Sequence, residues 1–503
     1  MKRLLPTVVV TVSCAGCVIV GPDYTTPEVS LPQKFESGDA AVTNAEPSIE
    51  RWWKNFNDPI LDDLIGQAVR ENNDLQGAIA RVNQARAIQN QAFLDLFPTI
   101  TSNGKYTNTH IPTSTFAGGS FRTGSDHIDN DYYTTGFDAV WELDLFGRVR
   151  RNVEAREADR DASVAGLQDA VRVLVSEVAR NYFDLRGTQR QIEVARANAE
   201  TQEQVVKVAE ALFKGGQSTE FDVVRSRAQL FSTRATIPPL EASERASMYR
   251  IGVLTGRQPE SVVAQLSTHA PLPSYSGPVT LGDPAALLKR RPDIRAVERQ
   301  LASTVAGIGV AEGDLFPKVS FIGSISLQAG DVPTLTSGHN EAWNIGPGIS
   351  WPAFNLGRVL ARVNQAEALS QEALARYEQS ILLALEETES SLARFGASKQ
   401  RRDLLQVSVE QSGKAVSIAR TQYENGLVDL LPVLDAQRTA LLAQLELVGS
   451  ETNLLTSLVQ LFKALGGGWD EAIGPREVIE KIDETGTAEA LTVAQQSTAP
   501  ASR

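Results

Sequence analysis

The sequence predicts a mainly α-helical chain, built of duplicated long-helix hairpins, that also carries four membrane-type β-strands. Three observations lead there. The chain is written twice: Asp95-Leu96-Phe97-Pro98 returns 219 residues on as Asp314-Leu315-Phe316-Pro317, and Trp141 with Gly147-Arg148-Val149 returns 210 residues on as Trp351 with Gly357-Arg358-Val359. Two proline-free stretches, 148–214 and 358–424, carry helical periodicity over lengths that no compact domain accommodates. Between each Phe-Pro and each Trp the period changes from that of a helix to that of a strand.

The first element is an address. Lys2-Arg3, the apolar run Leu4 to Val12, and Ser13-Cys14-Ala15-Gly16-Cys17 follow the basic, apolar, small order of an export signal. Ala15-Gly16 before Cys17 resembles a lipoprotein processing site, which makes 1–16 the signal peptide and Cys17 the lipidated first residue, with Cys14 standing where Leu is usual. The rival reading, a metal or redox Cys-x-x-Cys, finds no further cysteine to complete a site. Residues 17–50, polar and punctuated by Pro22, Pro27, Pro32 and Pro47, read as a lipid-anchored linker.

The first repeat spans 51–256, with strands about 98–145 and long helices about 148–214 and 218–255. A helix from Asp74 to Leu96 precedes its strands. Val164, Leu167, Val171, Leu174, Val178, Tyr182 and Leu185 recur at spacings of three or four, and 67 residues at about 1.5 Å each give a helix roughly 100 Å long. Gly215-Gly216 turns the chain, and Pro238-Pro239 should kink or break the return helix. A linker over 257–284 leads to the second repeat at 285–468, with strands about 317–354 and helices about 358–424 and 429–465. Asp293 is placed to cap a helix running to Leu315, and Asn425-Gly426 is the second tip turn. Residues 469–503 read as a tail, at least partly disordered.

The strand signal is clearest in the second repeat. Val319, Phe321, Ile325 and Leu327 alternate with Ser320, Ser324, Ser326 and Gln328, Ile322 alone breaking the polar face. Trp343, Ile345, Ile349 and Trp351 alternate with Asn344, Gly346, Gly348 and Ser350. That is the lipid-out, water-in code of a barrel strand. In the first repeat Tyr133, Phe137 and Trp141 alternate, while Thr101 to Thr109 is polar on both faces. A surface hairpin is the rival reading of either pair taken alone. No apolar run reaches the ~18 residues of a membrane helix, so a crossing must be a β-barrel. Four strands cannot close one, and oligomerisation becomes part of the fold.

Chemistry-bearing motifs are sparse. Net charge −13 without a basic run argues against nucleic acid. His110, His127, His269 and His339 lack ligand spacing, and no Walker loop or Gly-x-Ser-x-Gly elbow occurs. Gly307, Gly309 and Gly313 miss the dinucleotide spacing and read as close helix packing. Asp126, Asp129 and Asp131 read as a solvated cluster, with cation binding the rival. No cofactor, metal or catalytic residue is expected.

Val20-Gly21-Pro22-Asp23-Tyr24 after Cys17, Trp141 to Arg148 (WELDLFGR), Arg290-Arg291-Pro292-Asp293-Ile294-Arg295 and Leu434-Asp435-Ala436-Gln437-Arg438 resemble the TolC/OprM-like outer-membrane factor family, in its NodT-type lipoprotein branch. The resemblance implies a homotrimer: a trimeric α-barrel of long-helix hairpins with an equatorial belt, plus one 12-stranded trimeric β-barrel. It further implies a lipid-anchored outer-membrane protein extending into the periplasm, docked to a periplasmic adaptor and an inner-membrane pump of the RND type. Its gate maps onto Asp222 and Tyr423 as a closing link and Asp435 as a tip carboxylate, with Asp429 able to supply a second negative ring. Gly216 and Gly426 mark the helix-tip turns. Val428 and Pro432 depart from the family pattern, standing where an Arg and a second Asp are common, and Asp near a helix start also has a purely structural use. The expected function is a passive exit duct for small molecules in a tripartite efflux system. Its rivals are a duct for type I protein secretion and, in a different class, a periplasmic coiled-coil structural protein.

Overall fold

The computed structural model describes residues 19–32, 34–36, 49–112, 127–277, 279 and 284–469. Cys17, Asp126 and the tail beyond Trp469 lie outside them. The chain divides into two compact units, one drawn from residues up to Pro27, Asn83–Ala162 and Val297–Tyr377, the other from Glu28–Val82, Ser163–Ala296 and Glu378 onward.

The first unit contains an antiparallel sheet of β1 (Thr99–Pro112), β2 (His127–Leu143), β3 (Lys318–Ala329) and β4 (Glu341–Ser350), in the order β1-β2-β3-β4. Directly paired residues share a face, so the register decides what each face presents. Phe137 pairs Ile325, which pairs Trp343; Trp141 pairs Phe321, which pairs Pro347; Tyr106 pairs Tyr133. These residues and Ile345 and Ile349 make one face apolar and aromatic. The other collects Thr101, Asn103, Thr134, Asp138, Ser320, Ser324, Asn344 and Gly348. Ile322 stands on that polar face. From Tyr133 to Trp141 is eight residues, about 26 Å along the strand, close to the height of a membrane apolar band. β1, polar on both faces to the eye, joins the apolar face through Ile100 and Tyr106. Asp129 pairs with His110, and Asp131 accepts from Tyr106 Oη at 2.8 Å and Asn108 Nδ2 at 3.0 Å.

The duplication is physical in this unit. Trp141 Nε1 donates to Leu96 O at 2.9 Å, and Trp351 Nε1 donates to Leu315 O at 3.0 Å, so each Trp ties the end of a strand hairpin to the Leu-Phe-Pro turn that begins it. The segment Val20–Tyr24 docks here as well. Arg151, 3% exposed, donates to Val20 O and Gly21 O at 3.0 Å and to Asp23 at 2.7 Å. Gly21 has φ +91°, and a Cβ there would fall 2.4 Å from Gly309 Cα. Gly309 thus admits a strap of backbone, and Gly313 admits the close approach of Arg148, while a Cβ on Gly307 would meet nothing within 4 Å.

The helices, in chain order, are α1 (Pro59–Glu71), α2 (Asn73–Leu94), α3 (Arg148–Lys214), α4 (Glu220–Ala235), α5 (Ile237–Leu254), α6 (Val263–Leu266), α7 (Pro284–Arg290), α8 (Pro292–Gly313), α9 (Leu356–Glu424) and α10 (Leu430–Ala464). Among the described residues none is apolar enough over sufficient length to cross a membrane. The seam expected on α3 is buried at Leu167, Val171, Leu174, Val178, Tyr182 and Leu185, within a core of the second unit that also takes Leu455, Val459 and Phe462 of α10. Trp52 stacks on Phe462 with centroids 5.2 Å apart. Asp58 caps α1, accepting from the Ile60 and Leu61 amides at 2.9 and 3.2 Å and from Tyr182 Oη at 2.6 Å.

The first return helix breaks as expected, at Thr236 directly before Pro238 and Pro239: the prolines lack the N–H groups that would bond back into α4 and fill the first turn of α5, where a missing N–H costs little. One local expectation is corrected. Asp293 does not cap α8. The helix starts at Pro292, and the Asp293 carboxylate instead pairs with Arg291 at 2.7 Å and Arg172 at 3.4 Å. These arginines in turn donate to the last carbonyls of α10, Arg172 to Lys463 O at 2.7 Å and Arg291 to Ala464 O at 2.9 Å. Two cations thus sit at the negative end of a helix dipole.

The paired helix tips as candidate functional site

Each helix hairpin turns by the same backbone device. In the first, Gly216 N donates to Phe213 O at 3.0 Å and Gln217 N to Leu212 O at 2.9 Å; in the second, Gly426 N donates to Tyr423 O and Leu427 N to Gln422 O, both at 2.9 Å. This is the Schellman termination, which needs a left-handed residue, and Gly216 and Gly426 supply φ of +73° and +71°. The two tips pack on one apolar cluster: Val205 and Ala209 from α3, Val223 from α4, Ala419 from α9, and Leu430, Val433 and Leu434 from α10, with Tyr423 against its edge.

The side chains around these turns differ. Thr219 caps α4 in a reciprocal box, its Oγ1 accepting from Asp222 N at 3.3 Å while the Asp222 carboxylate accepts from Thr219 N at 3.1 Å, Thr219 Oγ1 at 2.8 Å and Ser218 Oγ at 2.9 Å. The Thr219 hydroxyl above all, with Ser218 and the Thr219 amide, holds Asp222 below the usual carboxylate range. Thr-x-x-Asp is a signal legible in sequence as a capping box. Asp429, the N-cap of α10, makes no such bond and is exposed. Asp435 is exposed and pairs with Arg438 at 3.0 Å.

Tyr423 is half-buried, with its hydroxyl covered and without a hydrogen-bond partner among the described residues. Burial first, and the neighbouring Asp222 carboxylate second, raise its pKa above the ordinary phenol value. Ser218 stands beside it but directs its own proton to Asp222. Asp222 and Tyr423 are neighbours across the two tips, without a hydrogen bond between them inside one chain. Asp429 and Asp435 face solvent on the second tip. Among the described residues no group of three or more His, Cys, Asp or Glu is arranged to hold a metal ion. The tips present hydroxyls and carboxylates around an exposed turn, an arrangement suited to holding helix ends together and to attracting cations.

The model of the outer membrane efflux protein family matches residues 64–257 and 284–467. Nodulation protein T of Rhizobium leguminosarum bv. trifolii is 30% identical over 91% of this chain and 95% of its own length. The solvent efflux pump outer membrane protein SrpC of Pseudomonas putida is 30% identical over 90% of this chain and 96% of its own. Among solved structures, the outer-membrane channel OprN matches with a TM-score of 0.82 at 38% identity, covering 90% of this chain and 99% of OprN. The long-helix hairpins, the four-strand sheet with its apolar face and these similarities place the protein in the outer membrane with the fold of such channels, and the chain belongs to the outer membrane efflux protein family.

Proposed function

We propose that the protein is the exit duct of a tripartite efflux system, a lipid-anchored homotrimer that passes small molecules delivered by an inner-membrane pump through a periplasmic adaptor. The observation that carries this reading is the open sheet: among the described residues β1 and β4 each pair with one neighbour only, and an apolar face backs a polar one. An open edge in hydrocarbon leaves backbone groups unpaired. Three copies joined β1 to β4 remove every edge and turn the polar faces inward on a water-filled lumen. Cys17 carries the acyl anchor, and the strap around Arg151 leads from it to the sheet unit. Energy comes from the pump, and this chain contributes a path and a gate.

The gate is placed at the tips, with Tyr423 and Asp222 holding neighbouring helix pairs together and Asp429 and Asp435 forming negative rings. Purified trimers in planar bilayers test this. Tyr423→Phe with Asp222→Ala is expected to raise single-channel conductance, and Asp429→Ala to reduce cation preference and block by multivalent cations. Unchanged conductance, selectivity and block in all of them removes the gate assignment. Absence of any conductance in wild-type trimers removes the channel itself and favours a structural rod. Cys17→Ser is expected to abolish acylation while trimers still insert, and mass spectrometry finding an unmodified Cys17 in the native protein overturns the anchor.

A further inference from the structure

The duplication repeats the strand hairpins and also the joint between one hairpin and the next. The first joint lies within the chain, where β2 ends beside the start of β3. Phe146, just past β2, stacks on Phe316, just before β3, with centroids 4.6 Å apart. Arg148 feels the charge of Asp314, and a Cβ on Gly313 would fall 2.7 Å from Arg148 Cβ. Both charges also have partners in their own repeat. Arg148 donates to the two oxygens of Glu142 at 3.0 and 2.7 Å, and Asp314 lies 2.7 Å from Lys318 and 3.3 Å from Arg362.

Offsets of 210 and 219 residues carry Phe146 to Leu356, Arg148 to Arg358, Phe316 to Phe97 and Asp314 to Asp95. These stand at opposite edges of the sheet, Leu356 and Arg358 past the end of β4 and Asp95 and Phe97 before the start of β1. Three strand spacings, about 14 Å, separate the two edges. At this second joint the local partners are gone. Pro352 stands where Glu142 meets the arginine, and Thr99 and Asn152 stand where Lys318 and Arg362 meet the aspartate. A cavity of about 330 Å³ borders Asp95, Thr99 and Asn152. Asp95 and Arg358 are exposed, and among the described residues neither has an ion pair. Phe97 is 52% exposed, and Leu94, in the place of Gly313, is 64% exposed.

We propose that Arg358 of the partner subunit pairs with Asp95, and that Leu356 of the partner subunit packs on Phe97, at the joint where one copy of this chain meets the next. This rests on the reading of the protein as a homotrimer joined β1 to β4. One edge carries an arginine without its carboxylate and the other an aspartate without its cations, so a second copy supplies each with what its own repeat lacks. The strand register agrees. Carried over by the same offsets, the β2–β3 pairing sets Ile349 of the partner subunit opposite Gly104 and Ile345 of the partner subunit opposite Asn108. Gly104 and Asn108 share the face of Tyr106, so the apolar face continues across the joint, where a slip of one residue would turn it inward. Leu94 in place of glycine holds the backbones further apart than at the first joint, and the methylenes of the arginine span that gap along it. The contact is head to tail, and three of them close a ring.

Charge reversal in the full-length protein tests the pair. Asp95→Lys and Arg358→Glu each set like charges against each other at all three joints. A threefold loss per joint, ordinary for a partly exposed pair, compounds to roughly thirtyfold in the trimer–monomer equilibrium, read as the trimer that survives mild heating in SDS. Asp95→Lys with Arg358→Glu restores the pair with its signs exchanged, and is expected to return to within about threefold of wild type. Asp314→Lys makes the same change of charge one repeat away and is expected not to rescue Arg358→Glu. Asp95→Cys with Arg358→Cys, treated with a short bismaleimide, is expected to give covalent trimers on a denaturing gel, and each single-cysteine variant only monomers. A monomeric wild type removes the homotrimer and the pair with it. A trimeric wild type whose reversals change nothing or fail to compensate, or whose double-cysteine chains link only to themselves, removes the pair and leaves the homotrimer standing.

Discussion

The two helix tips have one backbone and two chemistries. Residues 210 apart occupy matching places: Gly216 and Gly426 at the turn, Val223 and Val433 in the shared cluster, Thr219 and Asp429 at the N-cap, Asp222 and Pro432 at the third helical position, Phe213 and Tyr423 before the turn. The first tip closes its helix start with a reciprocal capping box. The second cannot, because Pro432 has no carboxylate to return and the Asp429 side chain makes no cap bond. A duplicated fold thus keeps what the turn requires, glycine and an apolar anchor, and diverges where function is expected. The first tip is fastened, and the second keeps its carboxylates toward solvent.

The largest effect is expected in the apolar cluster that both tips share. Val223→Asp and Val433→Asp each place a carboxylate in a dry cluster and are expected to cost about 2–5 kcal/mol. Equal falls in the thermal denaturation midpoint of purified trimers are expected, and a fall in only one assigns the cluster to that tip alone. Next come the turns. Gly216→Val and Gly426→Val put a branched side chain at positive φ, at about 1–2 kcal/mol each, with shortened trimer lifetime on heating as the readout.

The caps should separate the tips. Thr219→Ala is expected to cost about 1 kcal/mol, while Asp429→Ala loses at most about 0.5 kcal/mol of helix-dipole interaction. Grafting the first cap onto the second tip, Asp429→Thr with Pro432→Asp, should raise stability by about 1 kcal/mol and lower bilayer conductance. No gain in stability would mean that the second tip is held by contacts other than its cap.

The smallest expected effect is in pH. Asp222 is depressed in the folded state, so its contribution is present above the ordinary carboxylate range and is lost as pH falls through that range toward the folded value. Acidification in that range should lower the protection of the Thr219 amide against hydrogen exchange, measured relative to its intrinsic rate at each pH, because that amide donates to the Asp222 carboxylate in the capping box. The Leu430 amide at the second tip lacks such a box and should respond less. Asp222 is largely solvated, so the change is expected to be slight.

Much of this was readable from the chain. Period and repetition are local, and they showed Val171, Leu174 and Tyr182 as one face of a helix and Phe321, Ile325, Trp343 and Ile345 as one face of a sheet. The tip turns were readable because only glycine takes their backbone angle cheaply. The partner of each polar side chain was not. Asp293 looks like a cap until Arg172, 121 residues earlier, is found 3.4 Å away. Gln202 and Gln437 look like ordinary exposed polar positions until both helices are in place.

Helix lengths, strand faces and chain turns are legible in the residues alone, because each depends on residues within a few positions of one another, and the duplicated halves are legible because like motifs recur about 210 residues apart. The folded chain alone reveals the pairing register of β1 against β2, the approach of Tyr423 to Asp222, the docking of Val20–Tyr24 around Arg151 and the burial of Gln202 and Gln437. Each of these is a meeting of groups far apart in the chain. Hydrophobic patterning specifies which face is buried but not which polar group lies opposite it.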